Sequence, residues 1–556
     1  MNRRRSMSDT SAARWGRISS LHCTPKARGP SLQGIGPPCR NLRLHRSPRF
    51  GQDGRNEECA MSIRSTRRDF LKQVAVVAGA TPLFLSRRAK AQESKFGDLR
   101  IAFIATGGIA GAHIGEMTRL GVQCPCYCEI DETRMGGAAS QWPEARAYTD
   151  YREMLEKEAS NIDGVMIGAP DHHHYPASIL AMEAGLHCYT QKPLTHTPWE
   201  ARRLVKAAKD NPHLATQMGN QGHAGDAWRH LYNFIHAGGI GTIKEVHTWT
   251  DRALGWWPQG MTRPEGSEPI PDHLHWDTWL GAAPERPFRS TWESNGPEYE
   301  DRGPRYTQGQ QVYHPFVWRG WQDFGTGALG DMGCHMMDGT YWVMDPGYPT
   351  TVEPLLVEEI TDEAYPLEAI IRWTFPPRHG RPGFVQYWYE SGLKPEKPEG
   401  VEGDWNLPSN GSVWVGTEGV LLFHGSGGPI ETFPRELYEE RGEIPQILEF
   451  CPGQDHYAEW LNTILGEDEA ESNFVYAGGL TEGVLLGSVA MRAGEKFDYD
   501  GATMTTTSAA ANALIQKEYR DGWGFGLDMD LAKTPEVAVP AGAMDGRESL
   551  RRPWMP

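Results

Sequence analysis

Cysteine is scarce in this chain: nine residues in 556, three of them before residue 92. That density does not build a disulfide framework. Cys124, Cys126 and Cys128 alternate along one apolar run, which would set all three on one face of a strand as small buried hydrophobes. Three thiolates on one flat strand make poor tetrahedral geometry, so a metal site there is not expected. Also lacking is any uninterrupted apolar run of about 18 residues, the length that crosses a bilayer, so no lasting membrane anchor is expected. Positive charge is scarce too, but only locally. Residues 1–92 hold 19 Lys+Arg against 5 Asp+Glu, leaving 36 of the chain's 55 basic and 67 of its 72 acidic residues for the remainder. A body that acidic repels phosphate backbones; it argues against nucleic acid and suits a neutral or cationic small ligand.

What is present begins with an address. Thr66-Arg67-Arg68-Asp69-Phe70-Leu71-Lys72 resembles a twin-arginine export signal. An apolar stretch from Val74 to Leu85 follows, and then Ala89-Lys90-Ala91, the small-x-small pattern that a signal peptidase cuts after. Residues 61–92 therefore read as a signal peptide, with a mature chain beginning near Gln92 in the periplasm. Residues 1–60 are rich in Arg, Pro and Gly without apolar periodicity, and read as disordered or as an extension upstream of the true start.

From Asp98 the pattern alternates strand and helix. Leu99 to Ala105 is a continuous apolar run of the kind buried on both faces of a parallel sheet. Thr106-Gly107-Gly108 then turns into a helix through Ile109, Ile114 and Met117. Further strands are expected at Val122–Cys128, Gly164–Gly168 and His187–Thr190, with a helix from His174 to Ala184. Thr197, Pro198 and Glu200 form a capping box at the start of another helix. The order predicts a doubly wound parallel sheet over residues 93–218. Gly107 lets backbone approach a pyrophosphate at a helix N-terminus, and Glu129 lies where a carboxylate bridges ribose hydroxyls, which favours NAD over NADP. Ala105 and Ala110 stand where the dinucleotide fingerprint has its first and third glycines.

Ile167–Leu194 (IGAPDHHHYPASILAMEAGLHCYTQKPL) resembles the glucose–fructose oxidoreductase / inositol dehydrogenase (Gfo/Idh/MocA) family, and the likeness extends over most of residues 97–525. The resemblance implies that Ala105, Gly107, Gly108, Ala110 and His113 cradle the pyrophosphate. It implies that Pro170, Asp171 and His174 lie along the nicotinamide, and that Lys192 is the lysine of the family's Glu-Lys-Pro, here Gln191-Lys192-Pro193. Trp321 to His335 resembles the second signature, which supplies Asp331 and His335. A homo-oligomer and a C-terminal α+β domain over residues 219–556, with an open, largely antiparallel sheet, follow from the same resemblance.

The chemistry can also be argued from the residues. Oxidising an alcohol takes a base for the O–H proton while hydride leaves the carbon. His335 suits the base, and a Lys192 ammonium stabilises the developing alkoxide. Asp331 lies four residues before His335 and can hold substrate or steady the imidazole. The run His172-His173-His174 lacks a partner at ligand spacing, so no metal is expected. In the second half, strands are expected at Thr242–Thr250, Ala369–Trp373, Phe384–Tyr389 and Val413–Phe423, and helices at Ala224–His236, His456–Leu465 and Leu480–Met491. Residues 251–330 carry Trp256, Trp257, Trp276, Trp279, Trp292, Trp318 and Trp321, which either stack on a sugar or pack long loops. The expected activity is hydride transfer between tightly bound NAD and a hydroxyl of a sugar, polyol or glycoside. An NAD-dependent glycosidase and a non-catalytic sugar sensor are the alternatives.

Overall fold

The computed structural model describes residues 94–292, 311–425 and 429–527. The proposed signal and the residues before it lie outside that range. Six parallel strands open the chain: β1 (Ile101–Ile104), β2 (Cys126–Cys128), β3 (Arg146–Tyr148), β4 (Gly164–Ile167), β5 (His187–Gln191) and β6 (Thr216–Gly219). Their spatial order is β3-β2-β1-β4-β5-β6, with the reversal between β1 and β4, as in a doubly wound Rossmann sheet. Short β3, with two of its three residues exposed, is an edge strand too polar to stand out in the sequence.

Each face of this sheet is covered. Ala102, Ile104, Val165 and Ile167 join one core with Met154, Tyr175 and Ile179; Ile101, Phe103, Tyr127 and Met166 join the other with Ile114, Met117 and Leu120. The helices are α1 (Ile109–Leu120), α2 (Tyr151–Glu158), α3 (Asp171–Glu183) and α4 (Pro198–Asp210). The Thr197–Glu200 capping box forms as the sequence implies. The three cysteines are buried, but they do not share a face. Cys126 and Cys128 enter one core, whereas Cys124 joins Tyr127 in the other. Pro125 has no N–H to give the ladder, and the strand begins only after it, so the alternation does not extend back to Cys124.

Among the described residues the second sheet has nine strands in the order β13-β12-β11-β7-β10-β9-β8-β14-β15, in which β13 is Ile430–Phe433, β14 Phe497–Asp500 and β15 Thr505–Thr506. The members that matter here are β7 (Ile243–Trp249), β8 (Thr351–Glu358), β9 (Glu368–Phe375), β10 (Phe384–Tyr389), β11 (Gly411–Gly416) and β12 (Val420–Phe423). Only β7 and β10 pair in parallel; the other pairs are antiparallel. The run Val413–Phe423 is a hairpin rather than one strand, because Gly416 and Gly419 close a turn within it. Helices α5 (Asp226–His236), α6 (Gly327–Met336), α7 (His456–Ile464) and α8 (Phe474–Ala493) complete the parts that position the site.

Two of these cross the expected boundary at residue 218/219. Helix α7 does not close the second domain: Trp460 and Leu461 fill the Rossmann core beside Phe103 and Ile114, and Trp460 Nε1 donates to the Ala215 carbonyl at 3.2 Å. Helix α8 is long and apolar enough to cross a membrane, yet 16 of its 20 residues are buried against protein. It lies close to α4 because it is small where they meet; a Cβ on Gly478 would stand 2.2 Å from Val205. Here Arg202 of α4 forms a two-pronged ion pair with Glu482 of α8, Nε to Oε2 at 2.8 Å and Nη2 to Oε1 at 2.6 Å.

Candidate active site

A cavity of about 660 Å³ opens where the C-terminal ends of β1, β4 and β5 meet α6 and the insertion between β7 and α6. Ligands in doubly wound sheets bind outside these strand ends. At one end are Ala105, Gly107, Gly108, Glu129 and Arg134; at the other are Lys192, Arg252, Arg319, Asp331 and His335.

The turn after β1 suits an anion. Helix α1 starts at Gly108 without a side-chain cap, and no atom lies within 4 Å of the place a Gly108 Cβ would occupy. The Ala110 and Gly111 amides turn back to the Gly107 and Gly108 carbonyls at 3.1 and 3.2 Å, which leaves the amides of Gly108 and Ile109 without an acceptor among the described residues and open to one such as a pyrophosphate. Ala105 sits at φ 72°, a backbone region that glycine occupies more readily, which is why this position is a glycine in the usual fingerprint. Glu129 Oε2 accepts from the Thr106 amide at 2.9 Å and the Gly107 amide at 3.2 Å, holding the turn to the end of β2. A carboxylate has further lone pairs for ribose hydroxyls. These residues fit a dinucleotide.

Two residues expected at the pyrophosphate are elsewhere. Ala110 is buried and packs against Gly168, doing for helix–strand contact what the third fingerprint glycine does. His113 is fully buried outside the cavity wall, its Nδ1 3.1 Å from Tyr457 Oη and its Nε2 3.0 Å from Gln191 Nε2. Burial pushes its pKa down to about 3. It lies on the face of α1 turned to the protein, while its neighbour Ala112 lines the cavity.

Pro170, Asp171 and His174 line the cavity. The three histidines are not on a loop: α3 begins at Asp171 and carries them on its first turn. Each faces main-chain carbonyls, His172 and His173 the Trp279 oxygen at 2.9 and 2.8 Å, and His174 those of Pro193 and Ala169 at 2.7 and 2.8 Å. Burial lowers His174 to about 4, so at neutral pH its ring is uncharged and donates from one nitrogen only. It thereby ties the Pro170 loop to the Lys192–Pro193 loop. Asp171 is buried, accepts from Thr326 Oγ1 at 2.6 Å, and is pushed up to about 7 by that burial.

Lys192 leaves the end of β5 and reaches α6. Its Nζ donates to Asp331 Oδ1 at 2.8 Å and to the Asp331 carbonyl at 2.7 Å. Asp331 also accepts from Arg319 Nε at 2.8 Å and Arg252 Nη1 at 3.1 Å. Burial alone would raise this carboxyl, but the three cations hold it far below the usual carboxylate range. Asp331 and His335 share one face of α6, yet no hydrogen bond joins them; the carboxylate steadies the lysine instead of the imidazole. His335 has no hydrogen-bond partner among the described residues and lines the cavity. Burial, reinforced by Lys192, lowers it to about 3, so its lone pair is free near neutral pH. Arg252 and Arg319 were not foreseen, since nothing in their sequence neighbourhoods sets them apart. They reverse the expectation from overall charge, because the reacting end of the cavity is cationic. Of the seven tryptophans, Trp256, Trp279 and Trp318 line the cavity; Trp276, Trp292 and Trp321 pack behind them in the core that Trp279 and Trp318 share, and Trp257 is buried beside Val317 and Ala328.

Helix α6 is braced from below. Gln259 Oε1 accepts from the Ala328 amide at 2.7 Å, and Gln259 Nε2 donates to Glu390 at 3.3 Å. Burial pushes Glu390 up to about 8. A carboxyl raised on folding contributes stability that is complete below its unfolded pKa and is lost as pH rises from about 4.5 to about 8. Glu390→Gln removes that loss. Its melting temperature should exceed the wild type's by several degrees at pH 8.5 and converge with it near pH 5; equal differences at both pH values would rule the assignment out.

Residues 99–218 match the oxidoreductase family with an NAD-binding Rossmann fold, Gfo/Idh/MocA. Inositol 2-dehydrogenase of Corynebacterium glutamicum is 28% identical over 149 residues, covering 26% of this chain and 43% of that protein. Inositol 2-dehydrogenase of Leifsonia xyli is 30% identical over 150 residues, with coverages of 26% and 43%. A glycosyl hydrolase family 109 protein of Shewanella putrefaciens is 25% identical over 179 residues, covering 30% and 38%. The chain thus spans less than half the length of the curated relatives it matches. Among solved structures, the WlbA dehydrogenase of Chromobacterium violaceum with NADH and UDP-GlcNAcA aligns at 18% identity and TM-score 0.47, over 73% of this chain and 97% of that one. Myo-inositol 2-dehydrogenase of Lactobacillus plantarum aligns at 16% identity and TM-score 0.43, over 72% and 99%.

Proposed function

We propose that the chain is an NAD-dependent oxidoreductase acting on a CH–OH group of a sugar-like molecule. The observation that carries this reading is the convergence of Lys192 and His335 at the strand-end cavity that the dinucleotide turn also opens into. NAD, when bound there, would supply the acceptor for the hydride that leaves the carbinol carbon. His335 takes the hydroxyl proton, and the Lys192 ammonium, fixed by Asp331, stabilises charge developing on that oxygen. Glu129 and the turn at Gly107–Gly108 would hold the dinucleotide, with NAD favoured over NADP by the carboxylate. His335→Ala is expected to lower turnover about 10²–10⁴-fold while NAD content stays at wild-type level. Full activity in this variant would remove the base from His335.

The relative named as a glycosyl hydrolase supports a second reading, transient oxidation followed by loss of a glycosidic group. An oxidoreductase accumulates NADH in step with product; the glycosidase releases an aglycone with no net change in absorbance. A sensor binds sugar with NAD in place and turns over none.

We also place the mature protein outside the cytoplasm, on the Thr66–Lys72 and Ala89–Ala91 patterns. Free NAD is scarce there, so the cofactor must stay bound and be recycled in place by a second substrate. The docking of the insertion beside Glu129 supports retention: His275 N donates to the Ile130 carbonyl at 3.0 Å, and His273 and His314 each lie 3.0 Å from an Asp131 oxygen. Protein purified from a periplasmic fraction is expected to release about one equivalent of NAD per chain on denaturation and to show ping-pong kinetics. A cytoplasmic, full-length, cofactor-free protein would contradict both parts. Self-association is assigned to the outer face of the second sheet, where Tyr387, Tyr389 and Ile370 remain half-buried.

A further inference from the structure

Arg252 and Arg319 enter the cavity from segments outside the Rossmann domain, Arg252 just beyond β7 and Arg319 shortly before α6. Both converge on Asp331, as does Lys192. Three permanent cations therefore share one carboxylate in a setting where all are half-buried or deeper, the side chains of Lys192, Arg252 and Arg319 being 12%, 28% and 17% exposed. The other carboxylate at this end, Asp171, is committed to Thr326 and is partly protonated near neutral pH. Positive charge remains in excess. The pyrophosphate has donors of its own in the Gly108 and Ile109 amides at the turn after β1, and none of the three cations is hydrogen-bonded to that turn.

The two guanidinium groups are also held in place and incompletely used. Arg252 lies over Trp256 at 4.2 Å, and Arg319 lies over Trp318 at 4.3 Å and Phe316 at 4.6 Å. Such stacking fixes the planar group without consuming its donors. Arg252 Nε is buried without an acceptor among the described residues. Arg319 spends Nε on Asp331 and Nη1 on the Phe316 carbonyl, and its Nη2 has no acceptor among the described residues. Unused, preorganised guanidinium donors beside an excess of buried positive charge are suited to an oxyanion, for which two such forks give strong and directional hydrogen bonds.

We infer that Arg252 and Arg319 recognise an anionic oxygen group, carboxylate or phosphate, on the molecule whose hydroxyl is oxidised, so that the substrate is a sugar acid or a sugar phosphate and not a neutral sugar. The inference rests on the oxidoreductase reading for the word substrate, but not for the anion site itself. The group docks against the arginines while the hydroxyl to be oxidised faces His335 and Lys192, which sets the distance between the two along the molecule.

The test uses the NAD-loaded protein and three probes of one ring, D-glucose, D-glucuronate and D-glucose 6-phosphate. Binding is read by tryptophan fluorescence, since Trp256 and Trp318 flank the arginines, and turnover by NADH absorbance. At least one anion is expected to bind about tenfold or more tightly than glucose, with the advantage shrinking at high salt. Glucuronate ahead of glucose 6-phosphate assigns a carboxylate, and the reverse order a phosphate. In Arg319→Gln the advantage should fall to about twofold or less, and Arg252→Gln gives an independent repeat should the first variant not fold. Glucose binding as tightly as both anions, or an advantage that survives both substitutions, overturns the inference. NADH formed from glucose without any anion preference would leave the oxidoreductase reading standing and this one refuted. Anion-selective binding with no NADH from any probe would do the opposite.

Discussion

Lys192→Met is expected to lower kcat/KM by about 10²–10³ while leaving NAD content and the melting temperature close to those of the wild type. The separation of effects follows from Asp331. It loses one of three cationic partners but keeps Arg319 at 2.8 Å and Arg252 at 3.1 Å, so no buried charge is stranded. What disappears is the ammonium beside the reacting oxygen. A methionine has nearly the same length and fills the same space, which keeps packing out of the comparison. Lys192→Arg is the stricter variant, since it keeps the charge while changing the donor geometry, and partial recovery is expected from it. If Lys192→Met retained more than about a third of wild-type kcat/KM, the lysine would be a structural tie between β5 and α6 and nothing more.

The largest expected effect on stability belongs to Glu482→Ala. Glu482 is buried in α8, takes both prongs of Arg202, and accepts Tyr499 Oη at 2.7 Å. Removing one partner of such a pair leaves the other charged and desolvated, at a cost of about 3–5 kcal/mol. The melting temperature, compared at one scan rate because a chain of this size need not unfold reversibly, should drop sharply. Arg202→Met combined with Glu482→Leu removes both charges and should recover much of that loss. A double variant as unstable as Glu482→Ala would mean that shape, not stranded charge, accounts for the effect.

The parts that were legible in the sequence are local ones. The buried run Leu99–Ala105, the turn at Gly107–Gly108, Glu129 about 20 residues on and the Thr197–Glu200 capping box each depend on residues near one another in the chain, and spacing reports them directly. The i, i+4 relation of Asp331 and His335 was equally visible, but not what each faces. That depends on Arg252 and Arg319, which arrive from 79 and 12 residues before Asp331 and look like ordinary surface arginines in the sequence. Helix α7 shows the same limit. Its apolar spacing predicts a helix, but no local feature tells that Trp460 crosses back to Ala215, the residue before β6 and more than 240 residues earlier. His113 was misplaced because a resemblance supplies a residue's role, while the helix face it occupies is decided by Tyr457 and Gln191 around it.

The Arg202–Glu482 pair has a bearing on how small molecules come and go. Many enzymes with a dinucleotide domain and a second domain open like a hinge along the seam between them. Here α4 and α8 are riveted by that pair, Gly478 lets the two backbones nearly touch, and α7 is embedded in the Rossmann core. Opening the seam would expose a desolvated ion pair and a continuous apolar surface at once. The seam is therefore expected to stay closed, which leaves the side of Trp256, Pro315, Phe316 and Trp318, where the wall is made of insertion residues and not of sheet or core helix, as the way to the cavity.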